Sequence, residues 1–311
     1  MSLPIELKKL LQKQHYSFIG NHSAIKICTW TKKSLLDQDF CYKQKFYNIK
    51  SHLCCQLSTT IGFCQNRCIL CWRPTEYTIG TTIKNEDNPK ELIQKATKAQ
   101  QKQISGFKGN KLINLKKFKE AQEPKHFAIS LSGEPLIYKN LNKLIKELKK
   151  QNKTTFIVTN GLLPNRLKNL EPPTQLYLSL DAPNKNLFEK IDKPVIKNAW
   201  KKLNKSLEIL KELKNKTRTV LRITLIKNLN MIEPENYAKL IKKADPDFIE
   251  IKSYMWVGYS QQRLSIKNMP LHNEIKDFAK EILKHLKNYK LINEKKESRV
   301  ILLSKNKNTK I

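Results

Sequence analysis

The chain has 311 residues, 39% of them apolar, which excludes wholesale disorder and allows one large domain or two small ones. No apolar run approaches the roughly 20 residues that cross a bilayer. Lysine and arginine number 60 against 27 aspartates and glutamates, a formal net charge of +33. We therefore expect a polyanion as partner, above all nucleic acid, although a lysine-rich solvated surface would give the same charge.

Residues 1–20 predict a short amphipathic helix. Because they lack the apolar stretch and cleavage site of a signal peptide, we expect a cytoplasmic protein with no membrane association. All seven cysteines lie between residues 28 and 71. An odd cysteine count in a reducing compartment favours metal binding or redox chemistry over a disulfide framework.

Short apolar runs predict six strands, rich in β-branched or aromatic residues. In chain order they are residues 59–64, 126–133, 154–161, 175–181, 219–226 and 247–254. Helical patterns lie at residues 88–103, 138–151, 197–214 and 271–288. In the second of these, one face is apolar and the other carries lysines; the apolar residues are Leu141, Leu144, Ile145 and Leu148. Residues 304–311 predict a frayed polar tail.

Strands that alternate with helices predict βαβ units around a parallel sheet. Five or six such units favour an open or partial (β/α) barrel, and a doubly wound open sheet is the alternative. In both folds ligands bind at the carboxyl ends of the strands. Those ends carry polar residues at 132–135, 159–161 and 179–181, although turn chemistry would explain any one of them alone.

Cys64, Cys68 and Cys71 have the spacing C-x3-C-x2-C. Three thiolates cannot complete a tetrahedral zinc site, which usually has two separated C-x2-C pairs or includes histidines. They suit a [4Fe–4S] cluster in which one iron has no protein ligand. That iron can hold the amino and carboxylate groups of S-adenosylmethionine (SAM), and electron transfer to the sulfonium then releases a 5′-deoxyadenosyl radical.

The triplet, followed by the aromatic Trp72, resembles the cluster motif of the radical SAM superfamily. SLSGEP, at 130–135, is similar to that superfamily's GGE motif, which binds the amino group of the cofactor. Upstream, Cys28, Cys41 and Cys54 have 12 residues between successive members. Together with CYKQKFY (41–47), HLCCQL (52–57), CWRP (71–74) and KSYMWVGYSQQRL (252–264), they make the chain resemble the archaeal tRNA 4-demethylwyosine synthase family.

The resemblance implies an α/β fold: a partial (β/α)6 radical SAM barrel at residues 58–311, ending in a helix and polar tail, with an N-terminal cluster-bearing extension at residues 1–57. It implies that Cys64, Cys68 and Cys71 hold the cluster that binds SAM. A second [4Fe–4S] cluster, facing the substrate, would be held by Cys28, Cys41 and Cys54. The expected SAM contacts are Ser132, Gly133, Glu134, Pro135, Thr159, Asn160, Ser179 and Asp181. Cys55 is expected to be a buried bystander.

The implied substrates are pyruvate and the N1-methylguanosine at position 37 of tRNA(Phe). The radical would abstract hydrogen from the N1-methyl group, and the carbon radical would add to pyruvate, with loss of the carboxylate and ring closure to 4-demethylwyosine. Lys43 matches the family's motif and would activate pyruvate as a Schiff base, whereas Lys45 is expected to be a surface residue. Tyr254, Trp256 and Tyr259 are expected to stack on or flank the target base.

The residues leave two other functions open. One is a different two-cluster radical SAM enzyme that acts on tRNA, such as a methylthiotransferase, although those chains usually have a further RNA-binding domain after the barrel. The other is a non-enzymatic protein that binds metal and RNA. The first 27 residues are too short for the flavodoxin-like, FMN-binding domain of eukaryotic relatives, so we expect a separate electron donor of the ferredoxin or flavodoxin type.

Overall fold

The computed structural model describes residues 3–311. Over these residues the helices are α1 Ile5–Lys13, α2 Thr29–Leu35, α3 Tyr42–Tyr47, α4 Pro89–Ser105, α5 Leu115–Ala121, α6 Leu141–Lys150, α7 Pro164–Lys168, α8 Lys185–Asp192, α9 Ala199–Leu213, α10 Pro234–Ala244 and α11 His272–Lys284. The strands are β1 Ser17–Phe18, β2 Ala24–Ile25, β3 Cys54–Ser58, β4 His126–Ile129, β5 Thr154–Thr159, β6 Gln175–Ser179, β7 Arg218–Leu225, β8 Phe248–Ser253, β9 Lys290–Lys295 and β10 Val300–Ser304.

These elements are divided between two compact units. The first comprises the described residues up to Cys64 together with Ile79–Val158 and Ile311, and the second comprises Gln65–Thr78 and Thr159–Lys310. The predicted division of the chain at residue 57 stays a prediction.

The sheet of the first unit has the strand order β1-β2-β3-β4-β5. β1, β2 and β3 pair antiparallel, with Ala24 opposite Ser58. β3, β4 and β5 pair in parallel, with Cys54 opposite His126 and His126 opposite Thr154. α4 and α5 connect β3 to β4, and α6 connects β4 to β5. The parallel pairs therefore have the helical crossovers that parallel pairing requires.

The sheet of the second unit has the strand order β6-β7-β8-β10-β9. β6, β7 and β8 pair in parallel, with Tyr177 opposite Val220 and Ile223 opposite Ile251. α8 and α9 lie between β6 and β7 in the chain, and α10 lies between β7 and β8. β10 pairs antiparallel with both β8 and β9. Each unit thus contains three parallel strands, formed by the predicted βαβ pattern.

The predicted helices are confirmed, because their apolar faces are buried. On α6 the buried residues are Leu141, Leu144, Ile145 and Leu148. On α11 they are Ile275, Phe278, Ala279 and Ile282. α4, the helix of the 88–103 pattern, has 17 residues, and its first N–H groups are capped by the side chain of Asn88. Within residues 3–311, no helix is long and apolar enough to cross a membrane.

The prediction of a first strand at residues 59–64 was wrong. The strand is β3, which ends at Ser58, and the residues after it form a turn. Cys55 and Leu57 on β3 are fully buried and pair with β4. Pairing with β4 therefore places the strand at residues 54–58 and not at 59–64. Gly62 has φ +78°, a left-handed conformation that turns the chain away from the strand direction.

The C-terminal segment is also more ordered than predicted. Residues 290–304 form the hairpin of β9 and β10, in which all five residues of β10 are buried. Beyond it, the Arg218 guanidinium donates hydrogen bonds to the carbonyl oxygens of Thr309 (2.6 Å) and Lys310 (3.2 Å). The segment 304–311 is therefore attached to β7 and is not a frayed tail.

Leu144→Ala should lower the free energy of unfolding by about 2–5 kcal/mol, because Leu144 is fully buried on α6 and the substitution leaves a cavity. Urea unfolding followed by circular dichroism measures the change. The matched control is Lys143→Ala on the exposed face of the same helix, for which we expect a change within about 0.5 kcal/mol. Equal effects from the two substitutions would contradict the packing of α6.

Candidate active site

Two of the three upstream cysteines directly precede short helices of the first unit. Cys28 is the residue before α2 and Cys41 is the residue before α3, both with extended backbone conformations. Cys54 is the first residue of β3. Helix starts expose backbone N–H groups that have no helical partner, and those of Trp30 and Thr31 lower the pKa of the Cys28 thiol, against the larger opposing effect of its burial.

These three thiols and Lys43 lie close enough together for their charges to interact. Burial raises the pKa of Cys54, and the charges of Cys28 and Cys41 raise it further, whereas the Lys43 ammonium lowers it. Burial likewise raises the pKa of Cys28, against the opposing effect of the same ammonium. Each of the three cysteine residues is partly exposed as a whole. Because bonding to a metal stabilises thiolates that burial disfavours, this set of donors fits an iron–sulfur cluster.

The spacing of the donors also bears on what they can hold. Within residues 3–311, no three His, Cys, Asp or Glu side chains converge as they would on a single metal ion. The thiolates of a [4Fe–4S] cluster bind separate irons, so they lie further apart than the ligands of one ion. A site that does not fit one zinc ion is therefore compatible with a cluster.

Lys43 and Lys45 differ in their surroundings. Lys43 is half-buried on α3, and its Nζ lies 5.1 Å from the centroid of the Phe156 ring on β5, whereas Lys45 is exposed. The turn that carries Lys43 is fixed by its neighbours: the Cys41 N–H donates to Ser51 Oγ (2.9 Å), and the Ser51 hydroxyl donates to Gln44 Oε1 (2.9 Å). The sequence did not predict these hydrogen bonds, because their partners are 10 and 7 positions apart in the chain.

Cys54 and Cys55 are neighbours on β3, so their side chains point to opposite faces of the sheet. Cys55 is fully buried, and burial raises the pKa of its thiol to about 12. The expectation that Cys55 is buried is confirmed. It stays protonated on the far side of the strand from the converging thiols.

In the second unit, the loop that carries Cys68 lies against the end of α8. The N–H groups of Arg67 and Ile69 donate to the carbonyl oxygens of Asp192 (3.0 Å) and Ile191 (2.8 Å). The Cys68 thiol donates to Asp192 Oδ1 at 3.1 Å. Burial, and then the nearby Asp181 charge, raise the pKa of Asp192, so this carboxyl favours its neutral form. The helix end thereby fixes both the backbone and the sulfur of this loop.

Arg263 holds the following part of the loop. Its guanidinium donates to the carbonyl oxygens of Ile69 (3.2 Å), Cys71 and Arg73 (3.3 Å). It also donates to Thr75 Oγ1 (3.2 Å) and pairs with the Glu76 carboxylate. One planar guanidinium therefore satisfies acceptors along residues 69–76. We infer that Arg263 is a positioning residue for the cysteine loop, which sequence reasoning missed because almost 200 positions separate the partners.

The aromatic residues near Arg263 have structural partners. The predicted contact of Tyr254 with the target base was wrong, because this side chain is buried and its hydroxyl donates to Ser260 Oγ (2.9 Å). The Trp256 indole N–H donates to the Leu264 carbonyl oxygen (2.9 Å). The Tyr259 N–H donates to the Trp72 carbonyl oxygen (2.9 Å), which attaches this segment to the cysteine loop. Base contacts by Trp256 and Tyr259 stay a prediction.

The segment 132–135 packs directly on the turn after β3, within the first unit. Gly133 has φ +73°, and a Cβ added there would lie 1.8 Å from the Thr60 carbonyl oxygen and 2.7 Å from that of Phe63. The Ser58 hydroxyl donates to the Ser132 carbonyl oxygen (2.5 Å), and the Glu134 N–H donates to the Phe63 carbonyl oxygen (2.9 Å). Only glycine permits this approach.

The rest of the same segment has fixed side chains. The buried Glu134 carboxylate accepts a hydrogen bond from the Leu136 N–H (3.1 Å), and Pro135 opens the 3₁₀ turn Pro135–Ile137. In the same unit, the Cys64 N–H donates to the Gly80 carbonyl oxygen (3.1 Å).

Thr159 is the last residue of β5, and Asn160 begins the turn after it. The Thr159 hydroxyl accepts from the Gly161 N–H (3.1 Å), and Asn160 Oδ1 accepts from the Leu162 N–H (3.0 Å). The Asn160 amide also donates to Gln65 Oε1 (3.2 Å), on the residue that follows Cys64. Hydrogen bonds within the turn therefore account for part of the polar character of this segment. One further hydrogen bond, from Asn160 to Gln65, reaches the cysteine loop.

Ser179 and Asp181 lie at the end of β6, beside β7. Asp181 Oδ1 accepts from the Thr224 N–H (3.0 Å), and the Arg222 guanidinium donates to Ser179 Oγ (3.5 Å). Burial raises the pKa of Asp181, against the opposing charge of Arg222. The Asn230 amide donates to the Asp181 carbonyl oxygen (2.8 Å). These contacts attach the end of β6 to β7.

Comparison with known proteins extends these observations to the whole chain. Residues 58–241 match the radical SAM superfamily, and residues 243–305 match a family described as wyosine base formation. The SAM-dependent tRNA 4-demethylwyosine synthase of Pyrococcus abyssi is 47% identical over 307 residues, which cover 97% of this chain and 89% of that protein.

Two solved structures share the fold along the whole chain. An archaeal TYW1 crystal structure is 37% identical, with a TM-score of 0.81 and 99% of each chain covered. A TYW1 structure with a lysine-pyruvate adduct bound is 40% identical, with a TM-score of 0.87, and the match covers 100% of this chain and 99% of that one.

These matches confirm the predicted α/β fold with a partial radical SAM barrel. They also decide between the functions that the residues left open, in favour of the tRNA 4-demethylwyosine synthase family. Enzymes of the radical SAM superfamily use SAM and a [4Fe–4S] cluster. The chain belongs to the tRNA 4-demethylwyosine synthase family, the radical SAM enzymes that modify tRNA in wyosine formation.

Proposed function

We propose that this enzyme joins pyruvate to the N1-methylguanosine at position 37 of tRNA(Phe), forming 4-demethylwyosine in the cytoplasm, where tRNA is modified. The observation that carries the proposal is the convergence of Cys28, Cys41 and Cys54 with the half-buried Lys43. A cluster alone would need only the thiols, so the amine beside them favours a carbonyl substrate. The lysine-pyruvate adduct named for a 40% identical TYW1 structure supports the same role for Lys43.

Cys64, Cys68 and Cys71 are proposed to hold the cluster that binds SAM. When bound, the cluster and SAM supply an electron and a 5′-deoxyadenosyl radical for hydrogen abstraction. The chain's own contribution is to fix the loop: Gly133 lets residues 132–135 approach the turn that leads to Cys64, and Arg263 holds the backbone on either side of Cys71. Ser132, Glu134 and the strand-end residues 159–160, 179 and 181 stay proposed SAM contacts.

The second [4Fe–4S] cluster is proposed to be held by Cys28, Cys41 and Cys54. Lys43 lies on the helix that begins directly after Cys41, and its charge acts on the Cys28 and Cys54 thiols. Its amine would therefore lie beside the proposed cluster. A primary amine condenses with the keto group of pyruvate to form an imine and release water. After hydrogen abstraction, the methylene radical of the base would add to the imine carbon, and the bond from that carbon to the carboxylate would break. The carboxylate would leave as carbon dioxide, and its odd electron would pass to an acceptor, a role that the second cluster would supply when bound. Attack of the guanine N2 amine on the re-formed imine would close the ring and free the Lys43 amine.

The reductant in this proposal is a separate protein of the ferredoxin or flavodoxin type. Reductive cleavage of SAM needs one electron at a time, which both protein classes deliver. The experiment that tests the function is anaerobic turnover with SAM, pyruvate, a strong reductant and tRNA carrying N1-methylguanosine, followed by mass spectrometry of the nucleosides. Absence of 4-demethylwyosine with both clusters loaded would contradict it.

Replacing each set of cysteines by alanine should have different effects. The loaded enzyme should contain about eight irons, and either triple variant about four. Cys64, Cys68 and Cys71 together should be required for any 5′-deoxyadenosine formation. The Cys28, Cys41 and Cys54 triple variant should still cleave SAM but form no tricyclic base. Cys55→Ala is the matched control and should keep both clusters; product from the upstream triple variant would show that the second cluster is not needed.

Lys43→Arg should abolish product formation while iron content and tRNA binding persist, because arginine keeps the charge but forms no imine with pyruvate. Borohydride added with pyruvate should leave a reduced adduct on the wild-type peptide that contains Lys43, read by peptide mass spectrometry. The matched control, Lys45→Arg, changes an exposed lysine two residues away and should turn over normally. An adduct on Lys45, or normal turnover by Lys43→Arg, would refute the assignment.

Arg263→Gln should weaken the cysteine loop, because a hydrogen bond to a charged group is worth about 1.5–3 kcal/mol and several are lost. In a background that lacks Cys28, Cys41 and Cys54, all bound iron reports on the loop cluster. There we expect a chelator to remove iron about tenfold faster than from the same background with Arg263 intact. Lys267→Gln, at an exposed position nearby, is the control. Equal rates in the two variants would show that Arg263 does not position the loop.

A further inference from the structure

A basic groove of about 740 Å³ opens on the second unit. Its cationic lining comes from the cysteine loop, from α8, from the segment 193–198 and from the start of α9; these residues are Arg67, Lys185, Lys193, Lys197 and Lys201. We propose that this groove binds the sugar-phosphate backbone of the tRNA substrate. The inference rests on the tRNA-modifying activity and deepens it by naming a surface that receives the nucleic acid.

Charge is the first argument for this partner. The groove has five cationic side chains and a single carboxylate, Glu189, which lies 3.7 Å from Lys185. Lys193, Lys197 and Lys201 are all exposed, and among the described residues none of them is paired with a carboxylate. Cations without protein counter-charges can neutralise backbone phosphates, which releases the counterions condensed on the nucleic acid, and this release favours binding.

Another lysine-rich face of the second unit, on α11, differs from the groove, because its lysines are paired with carboxylates. On α11, Lys280 lies 2.8 Å from Asp277 and Lys284 lies 2.7 Å from Glu281. Those lysines are neutralised one turn away on their own helix. The excess positive charge of the chain is therefore distributed unevenly, and the groove holds unneutralised charge.

The position of the groove is the second argument. Its lysine-bearing segment is hydrogen-bonded to the residues between Cys64 and Cys68: the Val195 N–H donates to the Gln65 carbonyl oxygen (2.8 Å), and Asn66 pairs with Pro194 in an isolated bridge. The Arg67 N–H also donates to the Lys193 carbonyl oxygen (3.1 Å). A phosphate held here lies beside the loop that we assign to the SAM cluster, where a modified nucleotide must come.

An aromatic side chain among the cations also favours this partner. Trp200 is half-buried, packs on the Phe188 ring with the centroids 5.5 Å apart, and also lines the groove. Phe188 is buried, so the indole is held by a rigid support. Unpaired nucleotides are commonly bound by cations that follow the backbone and by aromatic rings that stack on bases. The anticodon loop of a tRNA offers both a phosphate backbone and unpaired bases.

The test is a variant in which Lys193, Lys197 and Lys201 are all changed to Gln. The matched control changes Lys280, Lys284 and Lys287 of the second unit to Gln, three exposed lysines on or directly after α11 with the same loss of charge. The dissociation constant for a tRNA(Phe) transcript is measured by fluorescence anisotropy between 50 and 200 mM salt. We expect the groove variant to bind at least about tenfold more weakly at the lowest salt, with a log–log salt slope shallower by about 2–3.

The control variant should bind within about twofold of the wild type, with an unchanged slope, since no phosphate contact is removed. Equal weakening of binding in both variants, or wild-type binding by the groove variant, would overturn the assignment. Loss of iron from the groove variant would also overturn it, by making these lysines part of the loop's structure.

The same variant also tests whether the groove binds the electron donor instead of tRNA. Wild-type tRNA binding together with slower reduction by an acidic ferredoxin, but not by dithionite, would assign the groove to the electron donor and overturn the proposal. Failure of the proposed function is separate: tRNA binding as predicted, with both clusters loaded but no product from pyruvate, would leave the groove assignment intact.

Discussion

The segment from residue 59 to residue 78 carries three cysteines and almost no regular secondary structure, so its backbone groups must find partners outside it. A buried backbone group without a partner costs about as much as a lost hydrogen bond. In the first unit, the Phe63 carbonyl oxygen accepts from Glu134, and the Gly62 carbonyl oxygen accepts from the Ile79 N–H at 2.7 Å. In the second unit, the end of α8 and Arg263 supply the partners. Each part of the loop is thus fixed by the elements of its own unit.

The need of the loop's backbone groups for outside partners explains the positions of two glycines and one arginine. Gly133 and Gly258 both have positive φ, and a Cβ on Gly258 would lie 2.4 Å from the Trp72 carbonyl oxygen. Neither position tolerates a side chain, because a backbone atom occupies the space. Arg263 has the opposite property: its five donors lie in one plane and reach several carbonyl oxygens at once, which a lysine ammonium could not do with the same geometry.

The sequence predicted the parts of the fold that arise from local pattern. Leu141, Leu144 and Leu148 repeat at helical spacing, and α6 buries all three. The first strand could not be placed this way, because CCQLS and TTIGFC are both short and apolar, and the choice depends on pairing with β4, about 70 residues later. The cysteine spacing identified the candidate cluster ligands, whereas the contacts of Arg263 and the burial of Tyr254 depend on tertiary packing that no local pattern encodes.

The total charge of the chain proved less informative than its distribution. A formal charge of +33 would be expected for a nucleic-acid-binding protein and for a lysine-rich surface alike. The structure separates the two cases within one unit, because Lys280 and Lys284 have acidic partners on α11 while Lys193, Lys197 and Lys201 lie in a groove with one carboxylate. That groove is hydrogen-bonded through Val195 to the cysteine loop. The backbone contacts that fix residues 65–67 of the loop therefore also fix the lysine-bearing segment of the proposed tRNA groove.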